Sequence, residues 1–327
     1  MNPAGLEPTP SGPTLCAIGN FDGVHRGHVE VLRQAAREAE LQRASPVALT
    51  FDPPPAVVLG RSAPALLTTL ERKIELIAET VPAIRVVVKT FDRDLAQRSA
   101  EEFATTVLAG ELHAVCVVVG QNFRFGRARE GDLGTLKKLG EKLGFTAHST
   151  ELVGDDKGPW SSTRVRRAVQ AGDFADVEGV LGRPHSLTGT VMRGDQRGRT
   201  LGFPTANLGG VEELVPPYGV YAVVVDRLDR PGISRALAKG VANIGVRPTV
   251  GAGASIEAHL LDFQPATDAE RDLYGARLRF HLVAFLRGEQ KFASLDALRA
   301  QIGVDANAAK AILASRKPVP DGLGGWY

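Results

Sequence analysis

Apolar positions along this chain follow two different rhythms. Short apolar runs at residues 14–18, 46–51, 84–90, 115–120 and 145–149 are flanked by turn residues and read as buried strands. Between them, residues 29–42, 70–80, 99–109 and 133–143 repeat apolar side chains every three or four positions, as a helix with one buried face does. In the first of these the buried stripe is Val29, Leu32, Ala35, Ala36 and Ala39. Ser99 with Glu102 reads as a capping box that starts the third. Alternating strands and helices predict a parallel sheet covered on both faces, with any ligand beyond the carboxyl ends of the strands.

The texture changes near Gly182-Arg183-Pro184. Residues 163–171 and 174–181 read as two short helices, with Gly172 and Gly182 as their stops and Pro184 barring continuation. After them come strand patterns at 186–192, 219–226, 236–242, 256–262 and 278–286, separated by Gly/Pro clusters. That succession predicts an antiparallel sheet or small barrel. Residues 294–302 and 306–315 read as two closing helices. The expected domains are 14–183 and 184–327.

A chain of 327 residues suffices for two cores. A net charge of +2 gives no electrostatic case for nucleic acid or a membrane surface. Cys16 and Cys116 lie in apolar runs and read as small core residues in a reducing compartment, not as a disulfide or a metal site. No apolar stretch approaches the ~18 residues of a membrane helix. Residues 1–13 are Pro/Gly-rich, lack the basic-then-apolar order of a signal peptide and read as a frayed tail. The expectation is a cytoplasmic protein with no membrane partner.

The chemistry concentrates first in GNFDGVHRGH, residues 19–28, between the first strand and the first helix. His25 and His28 are three apart at a helix mouth, hence on one face. The free N–H groups and the positive dipole end of that helix point the same way, which suits phosphate. Gly27 reads as leaving room for a nucleotide against the backbone. Taken alone, the pattern is equally that of two solvated histidines beside a turn. Further along are FDPPP at 51–55, VGQNFRFG at 119–126 with Gly131-Asp132, and WSSTRVR at 160–166. Ser161, Ser162 and Thr163 suit a helix cap, and Arg164 and Arg166 carry donors suited to phosphate oxygens. A solvated helix face accounts for the arginines equally well.

Together GNFDGVHRGH, VGQNFRFG and SSTRVR, in that order, resemble the adenylyltransferase half of the prokaryotic bifunctional riboflavin kinase/FAD synthetases. The resemblance spans residues 14 to about 182. It implies transfer of AMP from ATP to the phosphate of FMN, with pyrophosphate leaving. It also implies nucleotide or substrate contacts at Gly19, Asn20, Phe21, Gly27, Asn122, Ser161, Ser162 and Thr163, with His25, His28 and Arg166 as catalytic residues. The FMN phosphate is already anionic, so the reaction needs charge neutralisation and in-line positioning more than a base. Two positions depart from the family pattern: Pro54 stands where FxPHP has histidine, and Asn122 where aspartate often precedes FRFG.

In the second half GDQRGRTLGFPTAN, residues 194–207, falls one residue short of a GxxxxGK phosphate loop and has Arg199 in place of its lysine. For a generic pattern of this kind, a hairpin turn followed by a strand is the plainer reading. Its glycines allow a turn around phosphates, and Thr205 and Asn207 offer oxygens to Mg²⁺. With YGVY at 218–221, VANIG at 241–245, Arg247-Pro248-Thr249 and IEAHLLDF at 256–263, this half resembles the riboflavin kinase module. The resemblance implies a six-stranded barrel, nucleotide contacts at Gly194, Gly198, Arg199, Gly202 and Thr205, a metal held by Thr205 and Asn207, and Glu257 as catalytic base. An alcohol acceptor gains roughly 10²–10⁴ in rate from a base. Strand alternation puts His259 on the face of Glu257; it reads as a packing or surface residue.

The expected protein is thus an α/β Rossmann-like nucleotidyltransferase domain plus a C-terminal antiparallel β-barrel, riboflavin kinase-like, with closing helices. Its partners would be riboflavin, FMN, FAD and ATP, with a divalent cation. Two other classes stand beside this one. One is a flavin- and nucleotide-binding protein with only the kinase half active, which Pro54 keeps open. The other is an RNA-binding protein, since HxGH turns also occur in class I aminoacyl-tRNA synthetases; near-neutral charge and the absence of a lysine-rich loop oppose it.

Overall fold

The computed structural model describes residues 10–60, 63–193, 205–229, 235–246, 254–263 and 272–317. Its packing groups the chain into two compact units that divide after Arg164.

The first unit runs β1 (Thr14–Ile18), α1 (Arg26–Leu41), β2 (Ser45–Asp52), α2 (Pro55–Val58), α3 (Leu70–Thr80), β3 (Arg85–Thr90), α4 (Arg93–Gln97), α5 (Ala100–Phe103), β4 (Ala114–Val119), α6 (Leu133–Leu143) and β5 (Thr146–Ser149). A hairpin of β6 (Gly154–Asp155) and β7 (Gly158–Pro159) follows, and α7 (Ser162–Ala171) carries the chain across the division. The sheet order is β3-β2-β1-β4-β5, and every pairing is parallel. The order reverses at β1, so the loop leaving β1 lies at the crevice where such sheets bind ligands. Alternate residues of the strands build two cores. Cys16, Ile18, Leu49, Val117 and Val119 meet Phe103, Leu108 and Leu136 on one face. Leu15, Ala17, Ala48, Cys116 and Val118 meet Leu32, Ala35, Ile74 and Ile77 on the other. The two cysteines are buried on opposite faces and unbridged, and burial pushes the Cys16 thiol up to about 12.

The helix expected over 99–109 is an α-turn, opened by the Ser99–Glu102 capping box, that widens into a π-helix over Ala104–Glu111. Leu112 N–H reaches back five residues to the Val107 carbonyl, and the widened turn buries Ala104, Val107 and Leu108 together.

The second unit holds α8 (Phe174–Leu181), β8 (His185–Met192), β9 (Thr205–Gly209), β10 (Gly219–Arg227), β11 (Ala236–Val246), β12 (Ala254–Leu261), β13 (Arg277–Arg287) and α9 (Leu295–Ile312). Gly182 ends α8 at φ 76°, a left-handed stop that glycine adopts without strain. The six strands close an antiparallel barrel in the order β10-β11-β12-β9-β8-β13. Leu187, Leu208, Tyr221, Val223, Ile244, Ile256 and Phe280 fill the interior, and Phe174 of α8 meets Tyr221 edge-on at 5.5 Å. The strand β10 is buried on both faces because its outward Ala222 and Val224 lie under Ala309 and Leu313 of the α9 segment.

Two closing helices were expected; one continuous helix forms, α9. Gly303 lies between the two expected spans, yet a glycine in a helix costs only about 1 kcal/mol. Contacts on both sides of it outweigh that cost: Gln301 and Arg287 bind Asp305, which is 5% exposed, and Ala309 is fully buried.

Candidate active sites

In the first unit the segment 19–28 forms a strained turn at the carboxyl end of β1. Phe21, Gly23 and Val24 have φ of 47°, 83° and 38°. A left-handed β-branched residue costs on the order of 1–3 kcal/mol and persists only where its surroundings impose it. Here Asp22 imposes it. Its carboxylate is buried and accepts from Leu67 N–H at 3.0 Å and Thr68 N–H at 3.1 Å, and its carbonyl accepts from Ser162 Oγ at 2.8 Å. The Phe21 ring occupies the space where a side chain on Gly19 would stand.

The turn delivers His25 as the N-cap of α1. His25 Nδ1 accepts from His28 N–H at 3.3 Å, so the neutral His25 ring carries its proton on Nε2. The two rings stack with centroids 3.6 Å apart, and Phe21 meets His28 edge-on at 5.3 Å. No acidic side chain opposes the positive end of α1 in its first turn. A Cβ on Gly27 would lie 3.1 Å from the His25 ring and 3.2 Å from the Trp160 carbonyl. The close approach that Gly27 permits is therefore between parts of the protein itself.

Around this turn, Ser161 Oγ caps α7 by accepting from Arg164 N–H, and Ser162 anchors Asp22 as above, while Thr163 is exposed. Arg164 spends its guanidinium within the protein. It grips Asp155 with both Nη atoms, at 2.7 and 3.0 Å, and the Gly158 carbonyl at 2.8 Å, which locks the β6–β7 hairpin to α7. That guanidinium, first among its partners, holds the Asp155 carboxyl far below the ordinary range. Arg166 is half-buried on the same helix. Asn122 follows β4 and is exposed. Much of the FRFG motif serves packing: Phe123 stacks on Phe125 at 5.4 Å, and Phe125 pairs with Gly131 through two backbone hydrogen bonds. Pro54 caps α2 without a side-chain hydrogen bond.

Sequence reasoning missed Asp22 and Lys73. Lys73, on α3, is 5% exposed. Burial pulls its pKa down, and the carboxylates of Asp22 and Asp52 oppose that pull. A lysine on the apolar face of an amphipathic helix was the available signal.

In the second unit Glu257 lies on the outer wall of the barrel. It pairs in register with Asn207 on β9 and Asn243 on β11, and His259 pairs with Thr205 and Val241. Directly opposed residues share a face, so Glu257, His259, Asn207, Asn243 and Thr205 form one polar patch beside Val241, while Ile256 and Ala258 point into the barrel core. The patch opens into a cavity of about 420 Å³ lined by Thr205, Asn243, Glu257, His259, Glu289 and Phe292, with Leu298, Ile302 and Asp305 of α9 among its other walls. His259, expected to be a packing or surface residue, lines this cavity. Ser255 Oγ donates to Glu257 Oε1 at 3.1 Å. Arg287 holds Asp305 through Nε at 3.0 Å and Nη2 at 2.8 Å, which fixes α9 over the cavity. The other expected contacts of this half, Gly194, Gly198, Arg199 and Gly202, lie outside the described residues, as does the motif Arg247-Pro248-Thr249.

A parallel sheet with a helix-terminal histidine pair at its switch point, in one chain with a closed barrel carrying a carboxylate-lined outer cavity, defines a two-module transferase. Residues 8–164 match the FAD synthetase family model, and residues 181–313 match that of riboflavin kinase. The chain is 39% identical over 315 residues to the bifunctional riboflavin kinase/FMN adenylyltransferase of Escherichia coli K12, covering 96% of this chain and 97% of that protein. The enzymes of the same description from Pseudomonas fluorescens and Bacillus subtilis are 41% and 35% identical, each covering at least 90% of both chains. This chain belongs to the bifunctional riboflavin kinase/FMN adenylyltransferase family. A crystal structure described as a macrolide-efflux protein from Streptococcus pneumoniae superimposes with a TM-score of 0.78 at 27% identity, over 92% of this chain and 95% of that one. Among the described residues no helix is long and apolar enough to cross a membrane.

Proposed function

We propose that the two modules act in sequence: the barrel transfers a phosphoryl group from ATP to riboflavin, and the sheet module transfers AMP from a second ATP to the resulting FMN. FAD and pyrophosphate are the products. Residues 14–183 carry the adenylyltransferase, residues 184–327 carry the kinase, and both work in the cytoplasm. The observation that carries this reading is a difference between the two sites. The turn of the sheet module sets two stacked histidines at a helix N-terminus with no acidic side chain in its first turn. The barrel cavity has a carboxylate, Glu257, among short polar side chains.

That difference matches the acceptors. The FMN phosphate is an anion, so the sheet module's task is to neutralise charge at the α-phosphate and to hold the reactants in line. His25 Nε2–H, His28 and the N–H groups of the first turn of α1 do this, with Arg166 as a further cation. Gly19, Asn20, Phe21 and Gly27 belong to the turn; Asn122, Ser161, Ser162 and Thr163 are the further substrate contacts in this reading. The ribityl hydroxyl must instead lose a proton, and Glu257 accepts it as the oxygen attacks phosphorus. Gly194, Gly198, Arg199 and Gly202 belong to the segment that would turn around the phosphates, as their spacing suggests.

Thr205 and Asn207 present oxygen donors on the strand beside Glu257, a donor set that suits a hard cation such as Mg²⁺. When bound there, Mg²⁺ supplies charge neutralisation at the ATP phosphates. The test is to incubate pure protein with riboflavin, ATP and Mg²⁺ and separate the flavins. FAD is expected. FMN alone would leave only the kinase half active and point to Pro54; unchanged riboflavin would overturn the reading.

A further inference from the structure

We propose that Glu38, Cys116 and His148 form a binding site for a zinc-class divalent cation on the α1 face of the sheet. One ligand atom from each of the three lies within 4.8 Å of the others. The site is independent of the flavin chemistry above.

The backbone brings the three together from separate elements. β4 and β5 are parallel, with Cys116 opposite Thr146 and Val118 opposite His148. Cys116 and His148 are therefore diagonal neighbours on one face, the face that α1 covers. Glu38 comes from the last turn of α1. Cys116 Sγ lies 3.8 Å from His148 Nδ1, and His148 Nε2 lies 3.1 Å from Glu38 Oε2. Two ligands on a tetrahedral zinc, at about 2.3 Å for sulfur and about 2.1 Å for nitrogen, stand about 3.6 Å apart. The Sγ–Nδ1 separation is close to that value, so these two need little shift; the Glu38 carboxylate, now at the ring's other nitrogen, must swing toward the ion to join them.

The donors select the ion. A thiolate and an imidazole favour zinc or cobalt over magnesium or calcium, which prefer all-oxygen shells. One ligand is already oriented by a neighbour: Gln34 Nε2 donates to Glu38 Oε1 at 2.8 Å. The cysteine is 1% exposed, but the His148 and Glu38 side chains keep 34% and 25% of their surface open and give the ion its way in. On binding, the Cys116 S–H bond breaks, its proton passes to solvent, and a sulfur–metal bond forms with no change of oxidation state. Three protein ligands leave the fourth position to water. Glu38 is ten residues beyond His28, about 15 Å along the helix. One end of α1 thus serves the histidine turn, and the other would be stapled to the edge strand β5.

The test uses the full chain in magnesium-free buffer, titrated with Co²⁺. One equivalent should bring up the near-ultraviolet thiolate-to-cobalt band, and Zn²⁺ should abolish it by displacement. C116S should lose the band. H148Q, at a part-exposed position, should keep the fold and weaken binding at least about a hundredfold, beyond the roughly 10–100-fold of an outer-shell change. Zinc should raise the unfolding temperature of the wild type and not of H148Q. A wild type without the band, or a band that survives in either variant, would overturn the proposal and leave Glu38–His148–Cys116 a hydrogen-bonded chain only.

Discussion

Acid should weaken the barrel through one histidine. His185 opens β8, is 1% exposed, and donates from Nε2 to the Leu214 carbonyl at 2.8 Å. Burial pulls its pKa down to about 4 from 6.5. The folded ring stays neutral where the unfolded one takes a proton, so stability is fully present above about pH 6.5 and is lost as pH falls toward about 4. At about 1.4 kcal/mol per tenfold, the whole effect is about 3 kcal/mol, of which about 2 kcal/mol develops between about pH 7.5 and pH 5. Its neighbour Glu213 works against it. Burial raises that carboxyl, whose protonation therefore favours the fold as pH falls. The wild-type profile mixes the two, and His185→Gln separates them, because glutamine keeps an N–H donor and does not titrate. The assay is urea unfolding of wild type and variant across that pH range, with the barrel transition followed by circular dichroism. The stability advantage of the wild type should shrink by about 2 kcal/mol on acidification. Parallel profiles for the two proteins would refute a neutral buried His185.

Other outcomes follow from the two sites. Glu257→Gln should slow FMN formation from riboflavin by roughly 10²–10⁴ and leave adenylylation of supplied FMN intact, read by flavin chromatography. His28→Ala should do the reverse, lowering FAD synthesis by about 10²–10³ with the kinase rate unchanged. Asp305→Asn removes the carboxylate that Arg287 and Gln301 hold, so α9 should loosen over the cavity. A stability loss of about 1–3 kcal/mol by urea midpoint and a raised KM in the kinase reaction are expected. A kinase fragment of residues 172–327 should fold more stably than one of 184–327, because the shorter piece lacks Phe174 against Tyr221. Loss of a buried phenylalanine costs about 3–5 kcal/mol, and unfolding of the two fragments measures it.

The helix α3 begins and ends where its periodicity says, at Leu70 and Thr80. Most strands of both units fall within a few residues of their apolar runs; β9 appeared only in the alternative reading of its string as a hairpin turn followed by a strand, and no apolar run announced the short hairpin of β6 and β7. The helix-mouth pairing of His25 and His28 was equally legible, because three-residue spacing at a helix start is a local fact. Asp22 was not. Its role depends on Leu67 and Thr68, some 45 residues away, and nothing in FDGVH announces that its carboxylate braces the turn. Arg164 read equally as a phosphate donor or as part of a solvated helix face; what the sequence did not announce is its clamp on Asp155, since a guanidinium binds the nearest carboxylate the fold supplies.

What the sequence determined by itself is everything set by neighbours along the chain: the switch from alternating elements to strands alone, the caps, the histidine turn, and Glu257 with His259 on one strand face. Tertiary structure alone decided which wall of the barrel that face became, how α9 roofs it through Arg287 and Asp305, and that Cys116 meets His148 and Glu38. Local periodicity tells which side chains share a face. Which elements come to cover that face depends on strand order and register, and those are fixed only when distant segments pack.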